Sequence, residues 1–279
     1  MKAYIQLLRP INCLMMGFAV IVGYVIASRG ILLIPPHVLV FGFLTAFLLT
    51  ASSMVLNDYF DREIDAINNP FKPIPSGKVS PASAVYFATF LAVCGILTAA
   101  LINPLCLTIA ILSFAVSTAY NGYFKRTGFL GNLMVSLCVA TPFIFGSAML
   151  GEIYFHTLIF FAMVFLANTG REITKGIVDV IGDRSKGVLT LAVRYGEPFA
   201  AKVAILFYVV AVMLSPLPWF LGYLSIHYLL LVLIADIGFI YSSMVLLKSP
   251  SKEVALKVKK EVLLWMFIGL VAFLIGSLF

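Results

Sequence analysis

The chain has 279 residues, of which 62% are hydrophobic and 11% charged, with a formal net charge of +7. An ordinary soluble domain carries about 25% charged residues, and no polar stretch here is long enough to fold as a soluble domain of its own. The composition excludes a soluble enzyme and indicates an all-α, polytopic membrane protein, formed as a single domain over residues 1–279.

A bilayer core about 30 Å thick needs roughly 20 apolar helical residues at about 1.5 Å each. Nine runs meet that need in chain order: 11–28, 37–56, 82–102, 104–120, 129–150, 153–170, 200–220, 222–247 and 261–279. The first follows Lys2 and Arg9 in the manner of a signal peptide. It has no small-x-small cleavage site, however, and reads as a retained span. Asn103-Pro104, Gly151-Glu152 and Ser215-Pro216-Leu217-Pro218 leave only a turn between neighbouring runs, which makes tight helical hairpins.

The positive-inside rule sets the orientation. With the N-terminus in the cytoplasm, the inner side receives that terminus and loops 57–81, 121–128, 171–199 and 248–260. Counting Lys202 with the inner end of its helix, 18 of the 19 Lys and Arg residues fall there, and only Arg29 falls outside. Eight or ten spans break this alternation, so nine spans with the C-terminus outside is the expectation. A basic inner face suits anionic lipid headgroups and phosphorylated substrates, with no need of a nucleic-acid partner. Cys13, Cys94, Cys106 and Cys138 lie in apolar runs without C-x-x-C spacing and read as small core residues. His37, His156 and His227 fall at the expected outer helix ends, across the membrane from the acidic clusters.

Two inner loops hold most of the polar chemistry. The first, NDYFDREIDAINNPFKPIPSGKVSP, covers 57–81, and the second, REITKGIVDVIGDRSKGVLTLAVRYGEP, covers 171–198. Their parallel placement between hairpins suggests a weak repeat of four-helix units with a ninth span added. If the second span continues as a helix, Asn57, Asp61 and Asp65 share one face and Asp58 flanks it. Like charges at that spacing repel by a few tenths of about 1 kcal/mol per pair, so a cation is required nearby. Asp179 and Asp183 repeat the four-residue spacing in the second loop.

Oxygen donors without Cys or His suit Mg²⁺, which usually takes one or two carboxylates and completes its shell with water and substrate phosphates. A lone D-x-x-x-D at a membrane surface is commonly solvated loop; two on one side point to a two-sided diphosphate clamp. Lys72, Lys78, Lys125, Arg126, Arg171, Lys175, Arg184, Lys186 and Arg194 share that side and would neutralise diphosphate oxygens. The positive-inside rule places lysines there in any case. Arg62 and Glu63 read as a surface pair worth under about 1 kcal/mol. Packing and lipid contact explain most of the 24 Phe residues, with Tyr24, Tyr86 and Tyr120 among the aromatics, and a cavity for an isoprenoid tail would need such a lining as well. Asp236, deep in the eighth run, is expensive there and is expected to pair internally or face a cavity.

N-D-Y-F-D-R-E-I-D at 57–65 resembles the first motif of the UbiA-type intramembrane prenyltransferase superfamily, and D-V-I-G-D-R-S-K-G-V-L-T-L from Asp179 its second. R-P-x-N at Arg9–Asn12 and Y-N-G-Y-F-K-R at Tyr120–Arg126 match two further landmarks. The resemblance implies a nine-helix bundle with a cytosolic-side cap over the active site. It also implies two Mg²⁺ ions held by Asn57, Asp61, Asp179 and Asp183 on a prenyl diphosphate. Lys125 and Tyr120 would assist diphosphate departure, and the acceptor's proton would pass to Asp65 or to the diphosphate. Asp58, Arg62, Lys72, Lys125, Arg171, Lys175 and Arg184 would bind the substrates.

N-P-F-K-P-I-P-S-G and R-E-I-T-K-G-I-V-D-V-I-G-D look most like an archaeal branch of that superfamily. Its members attach a second geranylgeranyl chain, through an ether bond, to the phosphorylated lipid acceptor geranylgeranylglyceryl phosphate. That branch usually continues R-E-I-x-K with D-I-E-D, where this chain has Gly176 and Val178. A prenyltransferase alkylating an aromatic acid would use the same diphosphate site and remains the nearest alternative. A cation-coupled transporter fits less well, because alternating-access sites lie near the midplane and these acids lie at inner helix ends. A CDP-alcohol phosphotransferase needs a differently ordered Asp-rich motif.

Overall fold

The computed structural model describes residues 2–185 and 187–279; Lys186 lies outside the described residues. In chain order, the first helices are α1 (Lys2–Leu8), α2 (Pro10–Ser28), α3 (Pro36–Phe60), α4 (Arg62–Asn68), α5 (Pro81–Ala100), α6 (Pro104–Gly122) and α7 (Phe129–Ala148). Then follow α8 (Phe155–Val178), α9 (Val180–Ser185), α10 (Leu191–Tyr195), α11 (Glu197–Leu214), α12 (Leu217–Phe220), α13 (Ile226–Lys248) and α14 (Lys252–Leu278). Among the described residues there is no strand.

Each apolar run falls on one of these helices, with 200–220 shared by α11 and α12. Eight spans among the described residues are long and apolar enough to cross a membrane. The remaining run belongs to α8, whose second half carries Asn168, Thr169, Arg171 and Glu172 and is too polar to join them. This is an integral membrane protein.

Three helices run past the expected ends. In α3 and α8 the C-terminal ends reach Phe60 and Val178, and α14 starts at Lys252 rather than near 261. The reason for the last is a cap: the Ser251 side chain accepts from the Val254 N–H, filling one of the orphan donors of a helix start. Charged residues over 252–260 therefore form the first turns of a helix instead of a loop.

The chain forms two compact units, Met1–Tyr24 with Leu32–Tyr123 and Thr141–Ile153, and Val25–Ile31 with Phe124–Ala140 and Tyr154–Phe279. In the first, α3 packs along α5 and α6, and α1 lies against α3. Buried Ala51, Val55, Ala84 and Ala88 bring α3 and α5 close, and polar side chains bridge the same pair: Ser52 Oγ donates to Ala88 O at 2.8 Å and Thr45 shares a 2.9 Å hydrogen bond with Thr98. Such bridges matter in a lipid setting, where close packing and interhelical hydrogen bonds drive association. The α2–α7 crossing uses glycine in the same way. A Cβ on Gly23 would overlap Phe143 backbone, and one on Gly146 would overlap the Tyr24 N and Val20 O atoms.

In the second unit, α13 packs along α14, α11 along α8, and α14 along α8. Ala200, Ala201 and Ala204 of α11 allow close approach to Ile173 and Ile177 of α8. Tyr208, fully buried, shares a 2.9 Å hydrogen bond with Thr174. Asp236 of α13 pairs internally, accepting from Ser215 Oγ at 2.6 Å, and Tyr228 OH donates to the Ser215 carbonyl. His156 contacts the Ile26 carbonyl, and all four cysteines are free.

Candidate active site

The first acidic stripe depends on an uninterrupted backbone. Asp61 N–H donates to Asn57 O at 3.0 Å, Asp65 to Asp61 O at 2.8 Å, and Asn69 to Asp65 O at 2.8 Å. Although α3 ends at Phe60 and α4 begins at Arg62, Asp61 keeps φ −84° and ψ −2° at the junction. Asn57, Asp61 and Asp65 therefore stay one turn apart, as the sequence spacing requires.

The acids divide by environment. Asp58 and Asp65 are buried and held by cations from distant segments. Arg9 donates to Asp58 at 2.7 Å, and Lys72 reaches Asp58 at 3.2 Å and Asp65 at 2.7 Å. The structure thus places Asp58, Asp65 and Lys72 in one ion-pair network. Burial alone would lower the Lys72 pKa, but the hydrogen bonds and charges of Asp65 and Asp58 outweigh it and hold the ammonium above its ordinary value. Asp61 is partly exposed. Arg62 donates to Tyr59 O at 3.0 Å, pairs with Glu63 at 3.2 Å and lies over the Tyr59 ring.

The network makes a stability prediction. Lys72→Met leaves Asp65 without its cation and Asp58 with Arg9 alone. Loss of one partner from a fully buried pair costs roughly 3–5 kcal/mol. Side chains here are 25% exposed at Lys72 and 11% at Asp65, so screening brings the expectation to about 1–3 kcal/mol, read as a lower midpoint of thermal unfolding in detergent. Because the folded pKa of Lys72 is raised, its contribution is complete below the unfolded value of about 10.4 and is lost as pH climbs through the folded one. The difference between variant and wild type should accordingly close only at strongly alkaline pH.

The second stripe has the same local build. Asp179 follows the last residue of α8 and donates its N–H to Lys175 O at 3.1 Å, and Asp183 N–H donates to Asp179 O at 2.8 Å. Arg171, Lys175, Asp179 and Asp183 therefore follow one another at one-turn spacing. Glu172, with a side chain 11% exposed, accepts from Arg171 and Lys175 at 3.1 Å each. The Nε atom of Arg171 is buried and finds no protein acceptor among the described residues. Arg184 lies exposed on α9.

The segment carrying Lys125 is fastened to this second loop. Leu189 N–H donates to Arg126 O at 3.3 Å. Gly128, at φ +71°, lies so close to Leu189 that a Cβ would overlap its carbonyl oxygen. Tyr120 lies near the end of α6 in the first unit, and Lys125 lies in a single 3₁₀ turn, Phe124–Arg126, in the second.

One residue of the Y-N-G-Y-F-K-R stretch stands out. Asn121, buried on α6, accepts from Asn57 Nδ2 at 3.0 Å and donates to Ser53 O and Ser53 Oγ at 3.2 Å each. Ser53 Oγ also contacts Ser117 Oγ. Ser53 precedes Asn57 by one turn, and Ser117 precedes Asn121 by one turn. Two Ser-x-x-x-Asn pairs in apolar helices were therefore the available signal. Arg9, the partner of Asp58, gave no comparable local signal beyond R-P-x-N.

Among the described residues no three His, Cys, Asp or Glu side chains cluster as a metal cage. Apart from Asp65, which Lys72 holds, each stripe instead offers two oxygen-bearing side chains, Asn57 with Asp61 and Asp179 with Asp183. That donor set fits Mg²⁺, which keeps waters and takes phosphate oxygens from its substrate.

Oxygen-donor stripes at helix ends, beside cations, suit a membrane enzyme that handles phosphate-bearing lipids. The chain belongs to the UbiA prenyltransferase family, which it matches over residues 16–274, and is a prenyltransferase of that family. It is 39% identical to the digeranylgeranylglyceryl phosphate synthase of Methanococcus aeolicus, over 99% of this chain and 98% of that one. A solved structure of a digeranylgeranylglyceryl phosphate synthase superposes with a TM-score of 0.91 at 36% identity, covering 99% of this chain and 98% of the other. A UbiA homologue from Archaeoglobus fulgidus bound to GPP and Mg²⁺ shares the fold, with a TM-score of 0.71 at 17% identity over 97% of this chain and 99% of that one.

Proposed function

We propose that this chain transfers a geranylgeranyl group from geranylgeranyl diphosphate to the sn-2 hydroxyl of geranylgeranylglyceryl phosphate, forming the second ether bond of an archaeal membrane lipid. The observation that carries this reading is identity along the whole length to the Methanococcus aeolicus synthase. The motifs at Asn57–Asp65 and Asp179–Leu191 support it. We take nine spans with α8 included, the N-terminus cytoplasmic, the C-terminus outside and the site on the cytoplasmic side. The distribution of Lys and Arg supports that orientation. A cytosolic-side cap over the site goes with that orientation.

Asn57, Asp61, Asp179 and Asp183 would hold two Mg²⁺ ions, which supply positive charge to the diphosphate oxygens when bound. Lys125 and Tyr120 stabilise the diphosphate as it departs with the electron pair of the broken allylic C–O bond. Apolar side chains keep water from the allylic carbon while the sn-2 oxygen bonds to it. The sn-2 proton passes to Asp65 or to the departing diphosphate, and the Lys72 ion pair on Asp65 favours the diphosphate. Arg62, Lys72, Arg171, Lys175 and Arg184 supply the positive charge for the acceptor's phosphate, and the buried Nε of Arg171 supports a place for an anion there. Asp58 holds Arg9 and Lys72 in position.

Membranes containing the protein, supplied with geranylgeranyl diphosphate and Mg²⁺, test this reading. Given geranylgeranylglyceryl phosphate or 4-hydroxybenzoate, they are expected to yield only the digeranylgeranyl ether phosphate by mass spectrometry. Prenylated hydroxybenzoate as the main product would overturn the acceptor. Dephosphorylated acceptor is expected to react at least tenfold more slowly; equal rates would remove the phosphate from the basic residues named.

A further inference from the structure

We infer that Asn121 is a positioning residue that fixes which atom Asn57 presents to a bound cation, an inference resting on the metal role proposed for Asn57 and Asp61. An Asn side chain has one accepting oxygen and one donating nitrogen, and only its hydrogen-bond partners decide which way each points. The chain of partners here starts at a group that cannot change sides. Ser53 O is a backbone carbonyl and only accepts, so the Asn121 atom 3.2 Å from it is Nδ2. Asn121 Oδ1 then faces Asn57 at 3.0 Å and requires a donor, which is Asn57 Nδ2. The atom of Asn57 left over is Oδ1, the one atom of its amide able to ligate a hard cation.

The arrangement also accounts for an amide at position 57, where a carboxylate would attract a cation more strongly. A carboxylate offers no hydrogen to Asn121 Oδ1, and Asn121 is prevented from turning over by Ser53 O. Burial of Asn121 strengthens the restraint, since a buried acceptor left without a donor is costly. Holding helices together is a separate task, performed on α3 and α5 by Thr45 and Thr98 at 2.9 Å, well along α3 from Asn57.

Mn²⁺ binding to the full-length protein in detergent, read from the free Mn²⁺ signal by electron paramagnetic resonance, tests the inference without requiring turnover. Asn121→Ala is expected to weaken Mn²⁺ binding roughly tenfold, within the 10–100-fold range for residues that orient a metal ligand. Asn121→Asp retains the accepting atom but sets its second oxygen against Ser53 O in place of a donor, so it is expected to weaken binding by less than Asn121→Ala does. Thr98→Val removes an interhelical hydrogen bond of similar kind and should lower thermal stability with Mn²⁺ affinity unchanged. If Asn121→Ala binds Mn²⁺ as wild type does, or if Asn121→Asp weakens it as much as Asn121→Ala does, the positioning role is overturned. Equal weakening by Thr98→Val overturns it too, by making the effect a general loss of packing. Mn²⁺ affinity unaltered in Asp61→Ala would instead overturn the metal reading itself, and the positioning role with it.

Discussion

Replacing either Asp61 or Asp183 by alanine is expected to slow prenyl transfer more than about a hundredfold, the scale on which one preorganised contact to developing charge acts. The two residues are equivalent in their own stripes. Each lies one turn beyond another oxygen donor, Asn57 or Asp179, on a helical backbone that the Asp61–Asn57 and Asp183–Asp179 bonds keep in phase. Removing one takes away half of the donor pair proposed for its stripe, from a cation that usually binds through only one or two carboxylates besides phosphate. Initial rates at fixed Mg²⁺, on variants whose unfolding midpoints match wild type, measure the effect. Glu63→Gln is the control: its side chain is 84% exposed and pairs with Arg62, and its rate should not change. Near-wild-type turnover in folded Asp61→Ala or Asp183→Ala would falsify the metal assignment.

Gly128→Val should produce the largest loss of stability. Two penalties combine at this residue. A β-branched side chain at φ +71° is strained, and its Cβ would displace the Leu189 carbonyl and break the Leu189–Arg126 hydrogen bond. With about 1–3 kcal/mol for the backbone and about 1–3 for overpacking, the expected cost is roughly 2–6 kcal/mol. Gly151→Ala separates the two, since Gly151 is at φ +92° with open space where its Cβ would go. It should lose only the backbone part by thermal unfolding. An equal loss in both variants would show that the Leu189 contact contributes nothing. Folded Gly128→Val is also expected to turn over more slowly, because Lys125 and the second acidic loop would no longer be fastened together.

The acidic stripes were legible because helical phase is local. Asn57, Asp61 and Asp65 advertise their shared face through spacing alone, and the backbone bonds bear that spacing out. Hydropathy was misleading where charge and helix coincide. Residues 252–260 read as a loop, although Ser251 ahead of Ala255, Val258 and Val262 carries both a cap and a periodic buried face. The partners of the acids were the part out of reach. Arg9 meets Asp58 across 49 residues and Asn121 meets Asn57 across 64, and no local period encodes which distant cation or amide will arrive. Asp58 and Asp61 are three residues apart and look alike in the sequence. Only the fold reveals that Asp58 is buried between Arg9 and Lys72 while Asp61 stays partly exposed.

Arg9 carries a consequence for assembly. It adopts φ +50° directly before Pro10, a conformation that costs a non-glycine residue on the order of 1–3 kcal/mol. Its pull on Asp58 opposes that cost, and Lys72 holds the same carboxylate from another segment. The elbow between α1 and α2 therefore has little reason to form before α3 and the 69–80 loop are in place. Insertion of the first hairpin and completion of the N-terminal elbow become one cooperative event, with Asp58 as the residue on which three stretches of chain must arrive together.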